Sequence, residues 1–153
     1  MNRHSSLFRI ALAAVFIQLT GCAGTGEFLD SKNDAPVEPT SVELTFGIHV
    51  EGLRLSAAGS MLDFRYRVLD AKKAAPLLDG KLQPYLVDET HGAKLGVPDT
   101  PVLGRIRQTA RNNSIMLNRT YFIMFGNPGK VLQSGDKVTL LLGQVKITDL
   151  TVQ

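Results

Sequence analysis

Few side chains in this 153-residue chain can serve as metal ligands or nucleophiles: three histidines, four methionines and one cysteine. His91 sits in Asp88-Glu89-Thr90-His91-Gly92, where an imidazole beside two carboxylates could hold a divalent cation, and His49 alternates with apolar residues. Thioethers at Met61, Met116 and Met124 suit Cu(I), so these five residues are the metal candidates. Their spacing matches no recognised ligand pattern, and no Met-x-Met or His-x-Met pair occurs. A solvated hairpin tip accounts for His91, and core packing accounts for Met124, so no metal or other non-covalent cofactor is assigned. Catalytic residues are not assigned either. No Gly-x-Ser-x-Gly elbow, phosphate-cradling glycine loop or dinucleotide fingerprint is present, and Asp88 and Glu89 are adjacent in a turn. The expectation is a protein that is not an enzyme.

Charge is more informative, because it is unevenly distributed. Residues 23–63 carry seven acids and two bases, whereas residues 100–135 carry Arg105, Arg107, Arg111, Arg119 and Lys130 without an acid. Guanidinium groups pair bidentately with carboxylates and phosphates, so this segment is a candidate surface for an acidic envelope protein or another anionic envelope component. The competing reading is internal compensation by Glu43, Glu51 or Asp63.

The cysteine has a separate context. Arg3 and Arg9 precede the ten-residue apolar run Ile10 to Leu19, which is too short for a membrane-spanning helix, and Leu19-Thr20-Gly21-Cys22 follows. This segment resembles the signal peptide and lipobox of bacterial lipoproteins. The resemblance implies cleavage between Gly21 and Cys22 and covalent lipid on the Cys22 sulfur, anchoring the mature chain to the membrane. In a Gram-negative host, Ala23 after Cys22 implies an outer-membrane protein facing the periplasm. With Arg3 and Arg9 removed, fifteen basic residues face fourteen acidic ones, and no electrostatic case for nucleic acid binding remains.

The elements that must position these groups follow from periodicity. Residues 1–21 read as the signal, 22–40 as the lipidated N-terminus and a Gly, Pro and Ser-containing tether, and 41–153 as the folded domain. In Ser41 to Val50 every second residue is apolar, which predicts a half-buried strand, with a bulge at Gly52. Leu62, Phe64, Tyr66 and Val68 predict a second strand, and Asp70 predicts the N-cap of a short helix ended by Pro76. Pro84–Asp88 and Ala93–Val97 read as a hairpin, and a weak strand includes Ile106. Thr120–Phe125, Val138–Leu142 and Val145–Val152 supply the remaining strands. Seven or eight short strands with no disulfide predict an all-β, antiparallel immunoglobulin-like β-sandwich, with a small β-barrel as the alternative. The domain also resembles uncharacterised proteobacterial envelope lipoproteins, a resemblance that implies no specific activity.

Overall fold

The computed structural model describes residues 40–110, 112 and 114–153. Cys22, Gly21 and Arg111 lie outside the described residues. The described part begins with a helix where alternation predicts a strand. Thr40 caps α1 (Ser41–Phe46), its hydroxyl accepting from Glu43 N–H while the Glu43 carboxylate accepts from Thr40 N–H. This reciprocal capping box satisfies two helix-end donors and outweighs the two-residue pattern across Ser41 to Phe46. Gly47, at φ +63, ends the helix in the left-handed region, and only then does the strand start.

β1 (Ile48–Ser56) pairs antiparallel with β2 (Met61–Val68), and the register slips between Val50 and Gly52, the bulge that the glycine predicts. β2 pairs in turn with β7 (Thr120–Gly126). Alternation on β2 sends Leu62, Phe64, Tyr66 and Val68 inward, all fully buried, while Asp63, Arg65 and Arg67 take the outer face. After β2, Asp70 caps α2 (Ala71–Leu78) by accepting from the N–H groups of Lys72 and Lys73. The helix passes through Pro76 instead of ending there. In so short a helix a proline removes little hydrogen bonding, and burial of Leu77 and Leu78 carries the turn onward.

A second sheet has the order β4 (Ala93–Gly96), β3 (Pro84–Asp88), β8 (Lys137–Leu142) and β9 (Val145–Thr151), all antiparallel. The two-residue strands β5 (Asp99–Thr100) and β6 (Gly104–Arg105) form a separate small hairpin. Apolar faces of both larger sheets meet in one core, with Phe64, Tyr66, Ile123 and Phe125 from one and Leu86, Leu140, Leu142 and Ile147 from the other. Burying each such side chain stabilises the fold by about 1.5–3 kcal/mol.

The sheets are joined along one flank, where Gln153 N–H donates to Leu53 O and Leu55 N–H donates to Gln153 O beside a parallel Leu53–Val152 bridge. On the other flank β4 nears β7 only where Gly96 and Pro98 lie against Gly126. The described strands therefore form an all-β antiparallel structure that does not close into a barrel, which corrects the barrel alternative.

Candidate anion-binding site

The site is built on the free edge of β7. Segment 105–108 runs beside it: Met124 N–H donates to Ile106 O, Gln108 N–H donates to Phe122 O, and Arg107 bridges antiparallel to Ile123. Alternation then places Arg107, not Ile106, on the inner face with Tyr121 and Ile123, the reverse of what polarity predicts for a two-faced strand. Arg107 is only 9% exposed. Its guanidinium donates to Leu82 O at 3.1 Å and to Asp79 O, so two carbonyls just beyond α2 hold it in place. Its Nε is buried without a hydrogen-bond partner, as is the Tyr66 hydroxyl. Burial above all, with some repulsion from Arg105, lowers the Arg107 pKa below the ordinary arginine value, against the opposing pull of Tyr66 and Asp79. Burial also pushes the Tyr66 hydroxyl well above its ordinary 10. The interior thus holds a cation whose two terminal nitrogens are met by neutral carbonyls while its Nε is left unpartnered.

Tyr121 organises the opposite wall. Its ring stacks on Tyr66 at 6.1 Å, its hydroxyl accepts from Met116 N–H at 3.0 Å, and the Arg119 guanidinium lies 5.7 Å from its ring centroid. Arg119 also contacts the Met116 sulfur at 3.0 Å. Arg107, Arg119 and Tyr121 line a cavity of ≈ 470 Å³, together with Gln108, Thr109, Ser114 and Met116. The polar groups from these side chains are mostly donors, and no carboxylate or imidazole lies among them.

The acids proposed to compensate these arginines are engaged elsewhere. Glu43 contacts His49 at 2.5 Å, Glu51 lies 3.7 Å from Arg67, and Asp63 pairs with Arg65 at 2.8 Å. Among the described residues, the ion pairs include none to Arg105, Arg107, Arg119 or Lys130. The basic segment is nevertheless not one exposed face. Arg107 is interior, and Arg105 donates to Gly80 O at 3.3 Å. Lys130 follows the far end of β7, where its stem lies against Gly59. Seven strand residues separate it from Arg119, on the order of 23 Å. Gln108, Thr109, Ser114 and Tyr121 were not legible as site residues. Tyr121 reads in sequence only as one member of an aromatic strand, and nothing local marks the segment that will pair beside it.

The metal candidates are divided between the two sheets and the cavity. His49 belongs to β1 in one sheet and His91 to the β3–β4 turn of the other. Met61 and Met124 lie half-buried on β2 and β7, and Met116 is on the cavity wall. Among the described residues no three His, Cys, Asp or Glu side chains cluster as a metal site would require.

His91 does have a structural partner. Its Nδ1 lies 2.5 Å from Asp88 Oδ2, and Asp88 Oδ1 accepts from Thr90 N–H. Burial alone would raise the Asp88 pKa, but hydrogen bonds from His91 and the Thr90 and His91 backbone outweigh it, leaving the carboxyl below its ordinary 3.8. A carboxyl depressed in the fold contributes stability above its unfolded value and loses it as pH falls through the folded value. Thermal melts are therefore expected to decline below about pH 3.8 in the native chain, and less steeply in Asp88→Asn relative to that variant's own neutral-pH value. An acid limb of equal steepness in both proteins would reject this role for Asp88.

No protein-family model matches the chain, and no curated protein or solved structure matches it.

Proposed function

We propose that this chain is a lipid-anchored cell-envelope binding or assembly module that captures a carboxylate-bearing segment of an acidic partner in the Arg107–Arg119 cavity. In this reading the covalent lipid is on Cys22, an immunoglobulin-like sandwich is the scaffold, and a Gram-negative host would display the domain on the periplasmic side of its outer membrane. The observation that carries the binding role is that two guanidinium groups line one cavity while Glu43, Glu51 and Asp63 pair with other residues. A carboxylate supplies the missing countercharge, and Arg119 offers it a charge-assisted hydrogen bond. Arg107 is the fixed inner charge and Arg119 the accessible one. The lining side chains are rich in hydrogen-bond donors, which supports binding of an anion.

The test uses the full chain in detergent with two peptide probes, hexaglutamate and hexaglutamine. Hexaglutamate is expected to bind, and Arg119→Glu to weaken it by at least roughly tenfold, about 1.4 kcal/mol. Arg54→Glu, altering an exposed arginine on β1 away from the cavity, should leave binding unchanged. Equal binding of the two peptides, or an Arg119→Glu affinity equal to that of the native chain, would overturn the proposal.

A further inference from the structure

Three exposed leucines, Leu44, Leu69 and Leu117, sit on segments that backbone hydrogen bonds draw to one end of the first sheet. Leu69 N–H donates to Gly47 O at 2.8 Å, which fixes it beside the end of α1, the helix that carries Leu44. Val68 N–H donates to Arg119 O and Asn118 N–H donates to Val68 O, which sets the Leu117–Asn118 turn against the end of β2. The Lys73 ammonium donates to Leu44 O at 2.7 Å, joining the start of α2 to α1. These links bring together the three segments that carry the leucines, with Leu44 59%, Leu69 43% and Leu117 57% exposed. A large apolar residue exposed singly needs no explanation, but three at one end of a sheet do.

The charges at this end are one-sided in their availability. Lys72, Lys73 and Arg119 are exposed. The two nearby acids are occupied: Asp70 caps α2, and Glu43 accepts from Thr40 N–H while contacting His49. Leucines flanked by exposed cations match a bilayer whose apolar interior lies beneath anionic headgroups.

The chain enters the fold at this same end. Thr40 is the N-cap of α1, and Cys22 lies eighteen residues before it. Even fully extended, that length spans no more than about 65 Å. A lipid on Cys22 would therefore hold the leucine-bearing end within that reach of the membrane, raising its effective concentration there. We infer that Leu44, Leu69 and Leu117, flanked by Lys72 and Lys73, form a membrane-facing surface that seats the domain on an anionic bilayer. This inference rests on the anchored reading of Cys22. It is separate from the acidic ligand, which the cavity binds.

Seating would give the domain one orientation instead of free rotation about its tether. The leucine end faces lipid, while the β1–β2 turn and Ser134, which adjoin each other at the opposite end of the sheet, face away from the membrane. An eight-residue β2 separates these ends by roughly 25 Å.

The experiment places the full chain, extracted from membranes, in vesicles of phosphatidylethanolamine and phosphatidylglycerol at three to one. An environment-sensitive fluorophore is attached through Leu117→Cys or, as reference, Ser134→Cys. Intact mass reports separately whether Cys22 carries lipid. With lipid present, the Leu117 label is expected to shift to the blue and be quenched several-fold more by nitroxide lipids than the Ser134 label. Leu44→Asp with Leu69→Asp should remove most of that difference. Labels that remain equally solvent-like in the lipidated protein would overturn the inference while leaving the anchor intact. If the mass shows no lipid, the anchor reading fails on its own. A Cys22→Ser chain carrying either label is then added to the same vesicles, where a Leu117-specific shift would retain the seating surface and no shift would overturn it. A Leu117 shift produced by concentrating the protein without vesicles would assign the face to contact between copies and would also overturn the inference.

Discussion

Asn127→Ala is expected to lower the stability of the domain by about 3–5 kcal/mol, because three hydrogen bonds disappear from a side chain that is 0% exposed. The Asn127 amide donates to Gly59 O at 2.9 Å and to Leu132 O at 2.8 Å, and its carbonyl accepts from Leu132 N–H at 3.0 Å. Asn127 N–H donates to Ser60 O as well, so this residue ties the β1–β2 turn to the β7–β8 connection. Alanine would leave the Leu132 N–H and C=O buried without these partners, and each such group costs about 1–3 kcal/mol. For a domain of this size that corresponds to a fall of roughly 15 °C in Tm. Thermal and urea unfolding of the two proteins check it, and a loss under about 1 kcal/mol would show that water or a shifted backbone replaces the side chain. Asn127→Asp is the informative companion, since its carboxylate keeps the acceptor for Leu132 N–H but faces two carbonyl oxygens where the amide had donated.

The second large effect is expected at Gly47, where alanine would meet two separate obstacles. A Cβ built there would lie 2.7 Å from the Asp70 Cβ, 2.8 Å from the Lys73 Cβ and 2.9 Å from the Asp70 carbonyl oxygen. Two of these atoms are Cβ positions and one is backbone, so relief requires α2 to move from the end of α1. The position also sits at φ +63, which costs a residue with a Cβ about 1 kcal/mol. With overpacking of about 1–3 kcal/mol added, Gly47→Ala is expected to lose about 3 kcal/mol. Gly92→Ala separates the two contributions. Gly92 has φ +70 with nothing within 4 Å of a built Cβ, so it should lose only about 1 kcal/mol. Equal losses in the two variants, measured by urea unfolding, would remove the packing argument and leave backbone strain alone.

Gly47 also shows where local pattern and tertiary context part. Alternation from Val42 to Val50 reads as one strand, yet the first half is a helix. Thr40 and Glu43 close a capping box, and Gly47 accepts from the N–H groups of Leu69 and Asp70 through its carbonyl. The capping residues are visible in sequence, but the value of the left-handed glycine depends on a segment more than twenty residues later. Pro76 is a similar case, since its helix continues because Leu77 and Leu78 reach the core.

The sites separate in the same manner. The paired histidine and aspartate of the β3–β4 turn are three positions apart, so their proximity follows from a short hairpin loop. The anion site draws Arg107 and Arg119 together only because segment 105–108 lies along β7, whose far neighbour is β2. The charge count found both arginines but not which would be buried. An exposed arginine and one aimed across a core have the same sequence, and strand partner and facing alone distinguish them.

What the sequence by itself determined are the features set by local chemistry and strict periodicity: the all-β class, the buried face of Leu62, Phe64, Tyr66 and Val68, the bulge at Gly52 and the cap at Asp70. A period of two is imposed by the backbone, and a glycine or a capping carboxylate acts within a few residues. Tertiary structure alone decided which acids neutralise which bases, which segments bring three exposed leucines to the α1 end of the sheet and which cation remains inside without an ion pair. Those outcomes depend on sheet order and the facing of distant strands, where the contacts outnumber any signal that neighbouring residues can carry.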